Sequence, residues 1–169
     1  RKVFEEVKTK NDTDVKQWMI KVHALLNSLM DVDKHYLRKE YLLFPFLEKY
    51  EITGPPKVMW GKHDEIRALL KAAIDAVSTS GDVSAGEAAA ITDLVLIPAV
   101  KGISDMIDKE EEILLPMSLE KLTENDWFSI YSQTMEFGFC LYDPQTEWKP
   151  EDAETGGMVY NTGKNVPLS

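Results

Sequence analysis

From about Asp14 to Phe44 the chain runs without a glycine or a proline, and its apolar residues recur at steps of three and four. Val22, Leu25, Leu29, Val32, Tyr36, Leu43 and Leu47 form that stripe. Such spacing builds the buried face of an α-helix, and roughly 30 residues at about 1.5 Å each predict a rod near 45 Å. Pro45 is expected to kink its last turn, and "EITGPP" ends it. Asn11, Asp12 and Thr13 supply side-chain oxygens to cap its start. A further helix begins at Pro55–Pro56 and runs to about Ser78, where "STSGDVS" breaks the chain. Ser84 with Glu87 makes a capping box for a helix reaching Leu115, with a kink expected at Pro98. Thr123 caps a short last helix from about Glu124 to Met135. Strand-type alternation is nearly absent. The pattern predicts an all-α, antiparallel four-helix bundle with a short extra C-terminal helix and an irregular tail.

"RKVFEEVK" at the start reads as the middle of a helix, so the bundle is assigned to residues 1–136 with its first helix truncated at its start. Residues 137–169, polar and rich in turn formers, read as a strap or linker towards a missing downstream domain. With 19 basic against 29 acidic residues in 169, the formal charge is −10, which argues against a nucleic-acid partner. No apolar run approaches the roughly 20 residues that span a bilayer, so no membrane partner is expected. The lone Cys140 excludes an internal disulfide framework and a cysteine-based zinc site, which points to a reducing, cytoplasmic setting. No glycine-rich phosphate loop and no nucleophile–base pairing can be argued, so no catalytic residue is assigned.

The informative feature is where polar residues enter the apolar stripes. With each residue advancing about 100° around a helix, Lys39 and Glu40 fall on either side of the stripe's centre. His35 lies at its edge, and His23 faces water. "HYLRKEYLLFP" aligns with "MIDKEEEILLP" on Pro45 and Pro116, pairing His35 with Met106, Lys39 with Glu110 and Glu40 with Glu111. On the third helix Met59, Ile66, Leu70, Ala73 and Val77 mark the inward face, and His63 falls close to its centre. Buried carboxylates must be protonated, salt-bridged or bound to a cation. Imidazole and carboxylate together suit iron, zinc or manganese, and carboxylate-bridged metal pairs are built inside such bundles. An internal Lys39 pairing with Glu110 or Glu111 would remove the need for metal. Met and aromatic residues such as Trp18, Met19, Met30, Trp60 and Met106 read as core filling.

The strings "HY.RKE..LFP", "GPPKVMWG.HDEIR" and "KEE.ILLPM" occur in order, and with them the chain resembles the hemerythrin-like (HHE cation-binding) family. More narrowly it is similar to the subgroup that precedes a PAS sensor domain, the likeness covering about Arg1 to Pro150. The resemblance implies a hemerythrin-like bundle holding one or two non-haem iron ions, with a small diatomic ligand as a further partner and a PAS-type domain downstream. By position it implies His35, His63 and Glu110 as ligands; Glu40, next to Lys39, and Glu111 are the further oxygen donors that the residues themselves offer. Met106 stands where the pattern has a histidine, and Lys39 where it has an acid; the first-helix ligands are expected upstream of Arg1. A site with fewer ions, or none in this fragment, is thus also admitted. The expectation is a non-enzymatic sensory or regulatory module responding to oxygen, redox state or iron. The alternatives are a metal-free structural or interaction bundle with a buried Lys–Glu pair, and a diiron oxidase or peroxide- or nitric-oxide-reducing enzyme.

Overall fold

The computed structural model describes residues 2–79, 83–141 and 144–150. All regular structure among them is helical. The short α1 (Lys2–Glu5) passes into a 3₁₀ turn, Glu6–Thr9. One long rod follows as α2 (Asp12–Leu29), α3 (Val32–Arg38), a π-helical turn at Lys39–Leu43 and α4 (Phe44–Lys49). A second rod is α5 (Gly54–Thr79). The third comprises α6 (Ala85–Ile91), a π-turn at Thr92–Leu96, α7 (Ile97–Lys109), a π-turn at Glu110–Leu114 and α8 (Leu115–Lys121). Helix α9 (Glu124–Phe137) completes the set. The expected all-α bundle is what forms. The "STSGDVS" break lies partly, and residues 151–169 of the tail wholly, outside the described residues.

Pro45, Pro98 and Pro116 each follow a widened turn that the sequence did not announce. Each π-turn ends one residue before an X-Pro step: Phe44, Ile97 and Leu115 donate to the carbonyls of Lys39, Thr92 and Glu110, five residues back. Pro45, Pro98 and Pro116 then sit at the start of the next α segment. A proline inside an α-helix lacks a donor and clashes with the carbonyl four residues back. In the widened turn the N–H of the residue before the proline reaches five residues back, and each rod resumes as α-helix with its proline in the first turn. The motif aligned on Pro45 and Pro116 thus shares a backbone device as well as a sequence.

The first rod, by contrast, is interrupted where neither glycine nor proline occurs. At Met30–Asp31 the bonding tightens, with Asp31 N–H donating to Ser28 O at 3.2 Å and Asp33 N–H to Met30 O at 3.0 Å. The Asp31 carboxylate accepts from Leu141 N–H at 2.6 Å and from Lys34 Nζ at 2.6 Å. The break shifts the helical phase. Upstream of it the buried stripe is Val15, Trp18, Val22 and Leu26, while Leu25, expected inside, is exposed.

Helix α5 packs between α2 and α7. Its inward face is the expected Met59, Ile66, Leu70, Ala73 and Val77, all buried. A Cβ built on Gly102 of α7 would stand 3.1 Å from Ile66 Cγ1, so the missing side chain lets these helices approach closely. At one end of the bundle, residues 2–9 pack on α6 and its π-turn, held by Trp18 Nε1, which donates to Val3 O at 2.8 Å. At the other end α9 folds back along α3 and the Lys39–Leu43 π-turn. Asp126 fixes its start, closing a capping box with Thr123 while accepting from Tyr50 Oη at 2.6 Å and Lys49 Nζ at 3.0 Å. Together these contacts hold Asp126 down to about 2 against its burial. The expected capping residues Asn11, Ser84 and Thr123 all cap.

Candidate metal centre at the paired π-turns

Three rods bring ionisable groups into one interior, and the π-turns carry Lys39, Glu40 and Glu110 among them. Lys39 opens one π-turn and Glu110 opens the other. These two residues, equivalent in the repeated motif, meet: Lys39 Nζ donates to Glu110 Oε1. Glu110 Oε2 lies 2.6 Å from His35 Nε2, and an ionised carboxylate offers no proton, so the imidazole donates. Lys39 is only 6% exposed, and its ammonium also sits 4.7 Å from the Tyr36 ring centroid. Burial drives the Lys39 pKa below its usual value, with Glu110 acting in the other direction. Burial works against charge on Glu110 too, but the bond from His35 and the charge of Lys39 outweigh it and lower its pKa.

A second cluster lies alongside. Glu40, 3% exposed, accepts from His63 Nδ1 at 2.7 Å and from Arg67 Nη1 and Nη2, both at 2.9 Å. This is a bidentate guanidinium–carboxylate pair inside the bundle. Arg67 also donates through Nε to Asp33 at 2.6 Å and through Nη1 to Asp64 at 2.9 Å. Burial opposes the Glu40 charge, yet His63 and Arg67 together bring its pKa below the usual carboxylate value. His63 is fully buried, and burial lowers its pKa, leaving a neutral ring with its proton on Nδ1. The ring stacks on Tyr36, centroids 4.1 Å apart and planes 9° apart, with Phe44 parallel at 6.0 Å. Tyr36 therefore joins the clusters, and burial followed by the Glu110 charge raises its phenol pKa. Both Tyr36 Oη and His63 Nε2 are buried without a hydrogen-bond partner.

His35, His63, Glu40 and Glu110 are thus brought into this interior, with His35 at its edge and partly exposed. Glu111 is not; it is exposed, although the α-helical projection set it beside the stripe. The reason is the π-turn beginning at Glu110, which abandons the 100° step on which that projection rests. Arg67 and Tyr36 went unassigned in the sequence. Arg67 falls one turn beyond His63 on the same face of α5, the one signal that could have found it. His23, set aside in the sequence, hydrogen-bonds Asn27 at 3.2 Å on the exposed side of α2.

With this geometry in view, the comparison with known families is decisive. A family model described as the Hemerythrin HHE cation binding domain matches residues 1–118. The chain belongs to the hemerythrin HHE cation-binding family. That membership implies metal binding, without fixing the ion. No curated protein matches the chain. Among the described residues, however, no three His, Cys, Asp or Glu side chains form a group that could hold a metal ion. Each interior carboxylate is occupied by an organic cation, Glu110 by Lys39 and Glu40 by Arg67. Met106, buried at the position of an expected histidine, is at best a weak, soft donor beside carboxylates. The residues present do not fit a two-ion centre. Among the described residues, no helix is long and apolar enough to cross a membrane.

Proposed function

We propose that this hemerythrin-family chain is a non-enzymatic regulatory module whose interior charge clusters are coupled to its C-terminal tail. One observation carries the reading: α3 bears both. His35 lies on α3 and Lys39 follows it directly, while the tail is fastened to the same segment. Leu141 N–H donates to Asp31 just before α3, and Arg38 at its end lies 4.8 Å over the Phe139 ring. Further on, Trp148 N–H donates to the Tyr131 hydroxyl of α9 at 3.1 Å, and its ring packs edge-on against Tyr131 and Phe128. A change of partner at Glu110 would move α3 and hence the residues leading to a downstream domain, here taken as a PAS-type sensor in a cytoplasmic protein. Signalling of this kind needs two states that differ in their contacts, and the ion pairs supply one of them.

A second reading, in which one metal ion is held, is favoured by the unpartnered His63 Nε2. With Nδ1 held by Glu40, that nitrogen presents its lone pair, the arrangement in which a carboxylate orients an imidazole ligand. Iron, zinc and manganese all suit it, and iron with a diatomic ligand is the form the family resemblance suggests. A redox enzyme is the least supported reading, because it needs a donor set that the described residues do not assemble.

The test is metal analysis of the purified protein, with His63→Ala as control, alongside Trp148 emission read against Trp148→Phe. Emission that responds to Glu110→Gln supports the coupling; emission indifferent to it removes the coupling. Stoichiometric iron lost in His63→Ala replaces the first reading with the second.

A further inference from the structure

We propose that Lys39 is a built-in substitute for a metal ion: its ammonium gives Glu110 the positive charge that a bound cation would supply. This rests on the first reading above, in which the interior is at rest without metal. A lysine almost entirely removed from water is costly and persists only when paired. Here it is paired: Nζ meets Glu110 on one side and the Tyr36 face on another. The two interior carboxylates each face a side-chain cation, Glu110 the Lys39 ammonium and Glu40 the Arg67 guanidinium, which the more exposed Asp33 and Asp64 share, so neither needs a divalent ion to neutralise it. An ion entering beside Glu110 would meet an ammonium in direct contact with its ligand, and that repulsion is strongest where water is excluded. The repeated motif makes the exchange simple. The two π-turns put residues 39 and 110 face to face, and a base opposite an acid closes by itself what two acids close only around a cation.

The test compares wild type, Lys39→Met and Lys39→Met/Glu110→Gln by thermal unfolding, each with EDTA and with added manganese(II). Wild type should melt at one temperature in both. Lys39→Met leaves the half-buried Glu110 charge with His35 alone and should melt about 6–20 °C lower. Glu110→Gln in the double variant should recover most of that loss, and manganese should recover it in the single variant only. Lys39→Met as stable as wild type, or a loss that neither Glu110→Gln nor manganese relieves, overturns the proposal. Should Lys39→Met fail to fold, the double variant decides alone, because it must fold if the stranded charge is the cause. A wild type that loses stability in EDTA overturns the metal-free reading itself, whereas a tolerated Lys39→Met in a metal-free wild type overturns only the role of Lys39.

Discussion

Replacing Arg67 with Met keeps an unbranched chain in α5 but leaves the Glu40 carboxylate with the hydrogen bond from His63. The guanidinium makes two hydrogen bonds to Glu40, at 2.9 Å each, and one to Asp33 at 2.6 Å. Glu40 cannot turn to water, being 3% exposed. Breaking a buried pair by removing one partner costs about 3–5 kcal/mol. The Arg67 side chain retains 25% exposure, so its own desolvation is incomplete and the cost is set about 1 kcal/mol below that range, at about 2–4 kcal/mol. For a chain of this size that lowers Tm by about 4–16 °C. Arg67→Lys should not restore it, because an ammonium cannot bond both carboxylate oxygens in the plane of a guanidinium. Glu40→Gln in the Arg67→Met background should restore a large part, since an amide is cheaper to bury than a charge. Urea unfolding at neutral pH measures all three. A loss below about 0.5 kcal/mol for Arg67→Met would refute the reasoning, since that is the level expected for an exposed pair such as Lys62–Glu65 on the same helix.

Glu40 and Glu110, with pKa values held below 4.5, and Asp126, lowered from 3.8 to about 2, bind protons more weakly folded than unfolded. Their stabilisation is complete above the unfolded values and is lost as pH falls through the folded ones; His63, lowered from 6.5, adds a loss that begins below about pH 6.5. Urea midpoints should therefore fall from neutral pH downwards, and a flat profile between about pH 7 and 4 would contradict these assignments. Asp126→Ala should cost about 2 kcal/mol and loosen α9, read as faster hydrogen exchange across residues 124–137 with α5 unaffected. Gly102→Val should destabilise by about 1–3 kcal/mol, because its side chain meets Ile66 where a Cβ alone already stands at 3.1 Å; an unchanged urea midpoint would show that the helices can separate freely.

Helix α5 shows what periodicity delivers when the backbone stays regular: the five residues placed inside are inside, and His63 with them. The third rod is less regular. Of Val100, Ile103, Ile107 and Leu114, which recur there at helical spacing, Leu114 is buried and Val100 and Ile103 pack partly buried against the core, but Ile107 is about half exposed while Ala99 and Met106 are buried. Two π-turns flank that segment and shift its phase relative to Leu114. The prolines that mark those turns are visible in the sequence, but proline alone does not say whether a helix kinks or widens. The same shift puts Glu111 outside while Glu110 stays in. Of the site, His35, His63, Glu40, Lys39 and Glu110 were legible because charge in an apolar stripe demands a partner. Arg67 was not, because an arginine at a helical position ordinarily reaches solvent by its length.

The central claim is that side-chain cations, Lys39 and Arg67, hold the interior carboxylates in the place a metal pair would occupy. A crystal structure of the iron-grown protein, with anomalous data at the iron edge, tests it most directly. The account predicts Lys39 Nζ bonded to Glu110 and no anomalous peak between the π-turns. An iron peak about 2.0–2.2 Å from His63 Nε2 with Lys39 displaced from Glu110 would contradict it.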